Sequence, residues 1–170
     1  MKKSLYKMVI SLALAFAIAP TYAASIYPQV LFKTDKGDIL VELYPKKAPV
    51  SVDNFIKHVN DFHYNGLIFH RVIKKFMIQT GGFTFDLTPR ASDRPMIANE
   101  SDNGLKNKRG TLSMARTNDP DSARAQFFIN HKYNRSLDYK DGRPGYAVFG
   151  KVISGLKIVD IIAEVETTNV

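Results

Sequence analysis

The chain has 170 residues, enough for one domain with a substantial core, and its 45% hydrophobic and 24% charged residues are ordinary for a globular protein. The net charge is +8, but apart from residues 106–109 the basic residues are scattered, which argues against a nucleic-acid-binding surface. There is no cysteine, so the fold must rely on its core and needs no disulfides.

The N-terminus has the pattern of a cleaved secretory signal. Three lysines precede an apolar run at residues 8–18, and Thr-Tyr-Ala at residues 21–23 provides a small-x-Ala cleavage site. The run is too short to span a bilayer comfortably, which argues against the alternative of a retained membrane anchor. We therefore expect a signal peptide at residues 1–23 and a mature domain at residues 24–170, with no stable membrane insertion after cleavage. Loss of the three lysines lowers the net charge from +8 to +5.

The first part of the mature chain predicts a hairpin followed by a helix. Two β-rich runs at residues 29–34 and 38–43 flank the turn sequence Asp-Lys-Gly, which predicts an antiparallel pair. Ala48-Pro49 then opens a helix, because proline is favoured in the first helical turn. The predicted buried face of this helix consists of Val52, Phe55, Ile56, Val59 and Phe62.

The stretch at residues 67–83 combines strand character with polar groups that a simple core would avoid. His70, Arg71 and Gln79 interrupt a run of apolar, β-branched and aromatic residues, and two glycines then let the backbone turn away. A guanidinium and an amide beside Phe and Met side chains suit a shallow apolar pocket with a few directional donors. The alternative, for this stretch alone, is a hairpin with a solvated polar face in which Arg71 forms a surface ion pair.

The remainder of the chain alternates short strands with polar loops. Residues 84–107 lack periodicity and predict a long ordered loop of the kind that carries function. Shorter loops are expected at residues 116–125 and 132–146, and a last helix at residues 156–165. This pattern predicts a mainly β protein, a barrel or closed sheet capped by helices. The strands predicted after the first hairpin are residues 67–73, 76–79, 111–115, 126–130 and 147–153.

Four linked motifs resemble one protein family. The sequences FHRVI…FMIQ…GG, GTLSMAR, QFFIN and YAVFGKV occur in the order and at the separations found in the cyclophilin family of peptidyl-prolyl cis/trans isomerases. The resemblance covers residues 30–165 and is greatest to the secreted bacterial members. It implies a cyclophilin-like, closed, eight-stranded antiparallel barrel capped by two helices, with the site on its outer face. It also implies a periplasmic location.

The resemblance assigns roles residue by residue. Arg71 matches the catalytic arginine, and Gln79 and Gln126 match polar groups that hold the substrate and the arginine. Ala115 and Arg116 fall where the family contacts the peptide backbone. The walls of the proline pocket, for which a core role would otherwise be the ordinary interpretation, are matched by Phe76, Met77, Phe128 and Leu137, with Tyr146 as a further pocket residue.

The implied chemistry makes sense of these residue types. Rotation about an X–Pro bond is slow because amide resonance sets a barrier of about 18–20 kcal/mol. A guanidinium near the prolyl nitrogen favours the twisted, single-bonded amide, and Arg suits this role because it stays protonated and presents fixed donors. No covalent bond is made, so no cofactor and no metal are expected. His58 and His63, five residues apart, also have the wrong spacing for two ligands on one helical face.

Three functions were weighed against this pattern. The first is an isomerase acting on proline-containing exported polypeptides, expected to be a monomer. The second is a non-catalytic peptide-binding or chaperone module on the same scaffold. The third, a secreted hydrolase using His70 or His131, has no nucleophile motif, and His70 is interpreted as structural. Because Arg71 and the pocket residues are present together, the sequence favours the isomerase.

Several positions depart from the family pattern. Ser136 replaces an aromatic residue before Leu137, so weak binding of the inhibitor cyclosporin is expected. Arg116 replaces a frequent Asn, and we expect its main chain to suffice. Family members continue through a further loop and a closing strand. We therefore expect a barrel without that strand, either because the sequence is incomplete or because the protein is a weakened variant.

Overall fold

The computed structural model describes residues 27–168 and contains seven strands and two α-helices in that range. The predicted signal peptide at residues 1–23 lies outside the described residues. A 3₁₀ turn at Arg135–Leu137 lies between the last two strands. In chain order the elements are β1 (Gln29–Thr34), β2 (Gly37–Leu43), α1 (Pro49–Asn60), β3 (Arg71–Ile73), β4 (Met77–Thr80), β5 (Thr111–Met114), β6 (Phe127–Asn130), β7 (Val148–Ser154) and α2 (Leu156–Ala163).

The strands form one antiparallel sheet in the order β1-β2-β7-β5-β6-β4-β3. The sheet is curled. Phe32 on edge strand β1 packs against Phe127 on β6 with ring centroids 5.7 Å apart, although three strands lie between β1 and β6 in the sheet order. The predicted mainly β fold with two helices is thus confirmed. The eighth, closing strand implied by the resemblance has no counterpart in residues 27–168, so β1 and β3 remain the two edges of a half-barrel.

The inner side of the curled sheet holds the hydrophobic core. Phe55 of α1 and Val159 of α2 pack into it from the two helices. Phe55 contacts Phe127 and Phe149 edge to face or tilted, with centroids 5.2 Å apart in both pairs. Such aromatic pairs add to the free energy gained from burial alone. The fully buried strand residues of this core are Ile39, Val41, Leu43, Ile78, Leu112, Ile129 and Phe149.

Alternation along the strands places a second set of side chains on the outer side of the sheet. On β4, Ile78 belongs to the core while its neighbours Met77 and Gln79 point the other way. On β6, Phe127 and Ile129 belong to the core while Phe128 faces outward. Met77 and Phe128 are nevertheless buried, so the outer face of these strands is covered as well. This covered outer face is where the candidate site lies.

The central hairpin is shorter than the sequence predicts. Residues 67–70 were expected in a strand, but β3 begins at Arg71. The reason is a different set of hydrogen bonds: the Ile68 N–H donates to the Phe83 carbonyl, and the Thr80 hydroxyl donates to the Ile68 carbonyl. The segment before Arg71 therefore binds the turn after β4 rather than pairing along β4.

Helix α1 begins at Pro49 as predicted, and its N-terminus is held by a distant carboxylate. Glu100, in the long loop between β4 and β5, accepts hydrogen bonds from the Val50 and Ser51 amides at 3.0 and 2.8 Å. A carboxylate there satisfies free N–H groups and complements the helix dipole. The helix ends at Asn60, so the prediction for Phe62 was wrong: it has a positive φ of 56° and is 71% exposed.

The described part of the chain has neither a membrane-spanning helix nor a cluster of metal-ligating side chains. Among residues 27–168, no helix is both long and apolar enough to cross a membrane. The same residues contain no group of three or more His, Asp or Glu side chains placed to hold a metal ion.

His58 in α1 is a buried titratable group. The side chain is buried, with Nδ1 2.8 Å from the Asn54 carbonyl and Nε2 2.7 Å from the Ser92 hydroxyl. These contacts fit the neutral ring, with Nδ1–H donating and Nε2 accepting, and burial lowers the pKa of His58 below its usual value. The unfolded chain therefore binds a proton more readily than the folded chain.

We predict that the free energy of unfolding falls as the pH is lowered from 7.5 through the unfolded histidine pKa of about 6.5 to 5. His58→Gln removes the titrating group and should reduce this loss. Urea unfolding at both pH values, for the wild type and the variant, measures the difference. An equal loss of stability in both proteins would show that His58 does not contribute.

Candidate active site

Arg71 lies at the start of β3, directly opposite Gln79 on β4. Its Nη1 is 3.5 Å from Gln79 Oε1, a long hydrogen bond, and 4.0 Å from Met77 Sδ. Gln79 in turn donates from Nε2 to Gln126 Oε1 at 2.8 Å. Two amide side chains, one on β4 and one directly before β6, thus orient an otherwise exposed guanidinium.

A cavity of about 190 Å³ with mixed polar and apolar walls opens beside this guanidinium. Its floor is formed by Met77 and Phe128, the two outward-facing residues that are nonetheless buried. The Tyr146 ring meets Phe128 edge to face, with centroids 5.5 Å apart. The full lining consists of Arg71, Phe76, Met77, Gln79, Ala115, Arg116, Phe128, Leu137 and Tyr146.

The cavity therefore gathers nearly all of the predicted site residues. Gln126 is the exception, since it does not line the cavity and acts through its hydrogen bond to Gln79. Apolar wall residues beside the charged donors of Arg71 and Arg116 suit a small apolar ring whose polar atom faces a guanidinium.

The rim of the cavity is fixed by backbone hydrogen bonds. The Phe76 carbonyl accepts from the His131 amide at 2.9 Å and from Asn134 Nδ2 at 2.8 Å. On the opposite side, the Leu137 carbonyl accepts from the Tyr146 amide at 2.8 Å. The backbone at Phe76 is thus bonded to the chain that follows β6, and the backbone at Tyr146 is bonded to the 3₁₀ turn.

The Arg116 side chain has a larger role than the sequence indicates. Its guanidinium lies 4.6 Å from the centroid of the Tyr146 ring, a cation–π distance. It also donates to the Gly145 carbonyl at 3.1 Å and the Pro144 carbonyl at 3.0 Å. We expected only its main chain to be needed, but the side chain holds the loop that carries Tyr146.

Two glycines make room for Gln126. A Cβ on Gly82 would lie 2.4 Å from Gln126 Nε2, and one on Gly81 would lie 2.7 Å from the Ala125 carbonyl. Gly81 also has φ of +97°, a conformation that residues with side chains rarely adopt. The sharp turn predicted at this glycine pair is present, and it lets the amide of Gln126 reach Gln79.

His70 lies behind the site rather than in it. Burial lowers the pKa of His70, and a hydrogen bond with the Gln126 side chain acts in the opposite direction. The ring packs on Phe83 with centroids 4.7 Å apart, and Nδ1 has no hydrogen-bond partner among the described residues. His70 does not line the cavity beside Arg71.

Asn107 is a site-supporting residue that sequence reasoning missed. It is 1% exposed, and its Nδ2 donates to the Leu137 carbonyl at 3.0 Å and to Asp138 Oδ1 at 3.1 Å. Its Oδ1 accepts from the Ser113 hydroxyl at 2.7 Å. Asn107 therefore links β5 to the 3₁₀ turn that contains Leu137. The sequence offered no signal beyond its place at the end of a long polar loop.

Comparison with known proteins gives the family. The family model for cyclophilin type peptidyl-prolyl cis-trans isomerase/CLD matches residues 29–170. Peptidyl-prolyl cis-trans isomerase A of Dickeya dadantii is 48% identical over 170 residues, which cover 100% of this chain and 89% of that protein. The peptidyl-prolyl cis-trans isomerase of Acinetobacter baylyi is 54% identical over 140 residues, covering 82% and 74%.

A solved structure agrees with these matches. The crystal structure of a Cryptosporidium parvum cyclophilin type peptidyl-prolyl cis-trans isomerase, in the presence of the dipeptide Ala-Pro, superposes with a TM-score of 0.69. It is 28% identical and covers 83% of this chain and 88% of that one. The curled sheet and outer-face pocket thus define a cyclophilin-type protein. The chain belongs to the cyclophilin-type peptidyl-prolyl cis-trans isomerase family, which confirms the resemblance and the enzyme class drawn from its motifs.

Removal of the Asn107 side chain tests its role in holding the rim. In Asn107→Ala, the Leu137 carbonyl keeps only the Tyr146 amide as a donor, and the buried Ser113 hydroxyl loses its acceptor, which costs about 1–3 kcal/mol for one unsatisfied group. We predict a loss of that size in the free energy of unfolding, measured with urea. Asn118→Ala, the same substitution at an exposed loop position, should change stability by less than about 0.5 kcal/mol. Equal effects of the two substitutions would contradict this role.

Proposed function

We propose that this chain accelerates cis-trans isomerisation of X–Pro bonds with Arg71 as the catalytic group. The observation that carries the proposal is the position of the guanidinium at the wall of a cavity floored by Met77 and Phe128, oriented by Gln79 and Gln126. The proline ring would lie on Met77 and Phe128, which places the prolyl nitrogen on the side of Arg71.

The chemistry follows from what changes on the way to the transition state. In the planar amide the nitrogen lone pair is delocalised into the carbonyl, and in the twisted state it is localised on nitrogen. A donor near that nitrogen therefore binds the twisted state more strongly than either planar isomer, which is the condition for acceleration. The guanidinium remains charged throughout, so no proton transfer is needed.

The pocket walls have a separate role, which is to hold the proline ring. Phe76, Leu137 and Tyr146 are held by backbone hydrogen bonds, so the cavity does not have to reorganise around the proline ring. While the ring is fixed, the acyl side of the bond is free to rotate. Ser136, exposed in the 3₁₀ turn, adds no aromatic surface to this rim, which supports weak cyclosporin binding.

Replacement of Arg71 tests the catalytic proposal. Arg71→Ala should lower kcat/KM about 10²–10³-fold, as expected when one preorganised donor to a transition state is removed. Arg71→Lys should recover part of the loss, because it restores the charge without the planar set of donors. NMR exchange spectroscopy on an Ala-Pro tetrapeptide, with catalytic amounts of the protein, measures the rate.

Arg109→Ala provides the matched control, because Arg109 pairs with Asp160 on the surface and does not line the cavity. Its activity should equal that of the wild type. A wild-type protein with a well-dispersed spectrum and no acceleration would contradict the proposal. That outcome would favour a peptide-binding module on the same scaffold.

We further propose that the protein acts on exported polypeptides in the periplasm, as a monomer. The support is the N-terminal sequence, in which lysines, an apolar run and Thr-Tyr-Ala follow one another in the order of a secretory signal. Unaided X–Pro isomerisation takes tens to hundreds of seconds, so it can limit folding after export.

Expression of the chain in a Gram-negative host tests export. Cleavage after Ala23 predicts a periplasmic protein whose N-terminal peptide begins at Ala24, which intact-mass and N-terminal peptide spectrometry identify. Replacing the three lysines before the apolar run with Glu should leave uncleaved precursor in the cell, because the positive n-region is lost. Recovery of full-length protein in the cytoplasm of the wild-type strain would contradict export.

A further inference from the structure

A second cavity, of about 380 Å³, lies next to the proline pocket. Gln79, Ala115 and Arg116 line both cavities, so the two are adjacent on the outer face of the sheet. The second cavity is built from the turn after β4, the long loop that follows it and the loop between β5 and β6. Its remaining lining residues are Gly81, Arg90, Ala91, Ser92, Thr117, Ser122, Arg124, Ala125 and Gln126.

Its lining contains three arginines and no carboxylate. Arg90 donates from Nη1 to the carbonyls of His63 and Asn65 at 3.0 and 2.6 Å. Arg124 donates from Nη1 to the carbonyls of Ser92 and Arg94 at 3.4 and 3.0 Å. These acceptors fix the guanidinium groups but are neutral, so the positive charge is not balanced.

Both Arg90 and Arg124 retain donors for a ligand. A guanidinium has five N–H groups, and within the described residues the hydrogen bonds of these two side chains come from Nη1. The arrangement is therefore a positively charged cavity with fixed, partly unused donors.

Other arginines of the described chain are paired differently. Arg94 and Arg109 each bind a carboxylate, that of Asp61 and of Asp160 respectively. The acidic residues closest in sequence to Arg116, Asp119 and Asp121, do not line the cavity. Their carboxylates accept backbone amides instead: Asp119 from Asp121 at 3.0 Å, and Asp121 from Asn99 at 2.7 Å.

We propose that this cavity binds an acidic side chain of the substrate, so that the protein prefers X–Pro bonds with Asp or Glu within about three residues of the proline. The inference rests on the proposed isomerase function and names a substrate class for it. An extended peptide advances about 3.3 Å per residue, so a peptide with its proline in the first cavity places a nearby residue at the second. A carboxylate there meets the free donors of Arg124, and a lysine meets like charge.

The test uses peptides of equal length that all contain Ala-Pro. In each peptide, one of the three positions before or the three positions after this pair carries Glu, Gln or Lys. At one position kcat/KM should be about 5- to 30-fold higher for Glu than for Gln, as expected for a partly exposed charge-assisted hydrogen bond. Lys should be the poorest of the three. The ratio of Glu to Gln should fall at 0.5 M salt, since screening weakens the interaction.

Variants assign the preference to the cavity. Arg124→Gln should lower the ratio of Glu to Gln at that position, and Arg124→Lys should keep most of it, because the charge is restored. Lys33→Gln removes a positive charge from exposed β1 and should leave the ratio unchanged. Thermal unfolding of each variant, read beside the rates, checks that the loop held by Arg124 is intact. Arg124→Lys tests the charge even if Arg124→Gln is unstable.

The outcomes separate this proposal from the isomerase function. If all peptides are isomerised at rates that do not depend on Glu, Gln or Lys at any position, the acidic preference is wrong and the isomerase stands. If no peptide is isomerised, the proposed function fails. In that case, NMR titration decides the matter: tighter binding of the Glu than of the Gln peptide, with shifts at the Ala115 and Arg124 amides, supports the cavity assignment, and equal affinities overturn it.

Discussion

The strict alternation of side chains along β4 and β6 is the constraint on which the rest of the structure depends. Ile78, Phe127 and Ile129 fill the core, and the residues between them, Met77 and Phe128, form the floor of the pocket on the opposite face. A shift of one residue in register would move the core side chains to the pocket face and the pocket side chains into the core. The same packing that stabilises the half-barrel therefore also fixes the position of the site.

The walls of the pocket depend on a different interaction. They come from segments outside the sheet ladder, so their position relative to the floor has to be set by polar side chains. Asn107 and Asn134 do this from buried positions, by donating to carbonyls of the 3₁₀ turn and of Phe76. Arg116 does the same for the loop before β7. Buried amides with fixed partners make such a site rigid, and rigidity is what a donor aimed at a transition state requires.

Local patterns predicted much of the fold, and linked motifs predicted most of the site. Period-two runs identified the strands, and proline identified the start of α1. Prediction failed where long-range contacts decide the outcome. Phe62 fits the helical spacing, but the helix ends before it. Asn107 and Arg124 act on partners about 30 residues away in the chain, which no local pattern reveals. The family motifs include most residues that line the cavity beside Arg71, but neither Asn107 nor Asn134, which hold its walls.

Arg116 is shared by the two cavities. Its guanidinium packs on Tyr146 in the cavity beside Arg71, and the same side chain lines the neighbouring basic cavity. A ligand group that draws this guanidinium to one side also changes the wall on the other. Energetic coupling of this kind is reciprocal, so the factor by which one occupied cavity alters affinity at the second applies equally in reverse. Ligands bound in the two cavities would thus be thermodynamically linked through Arg116.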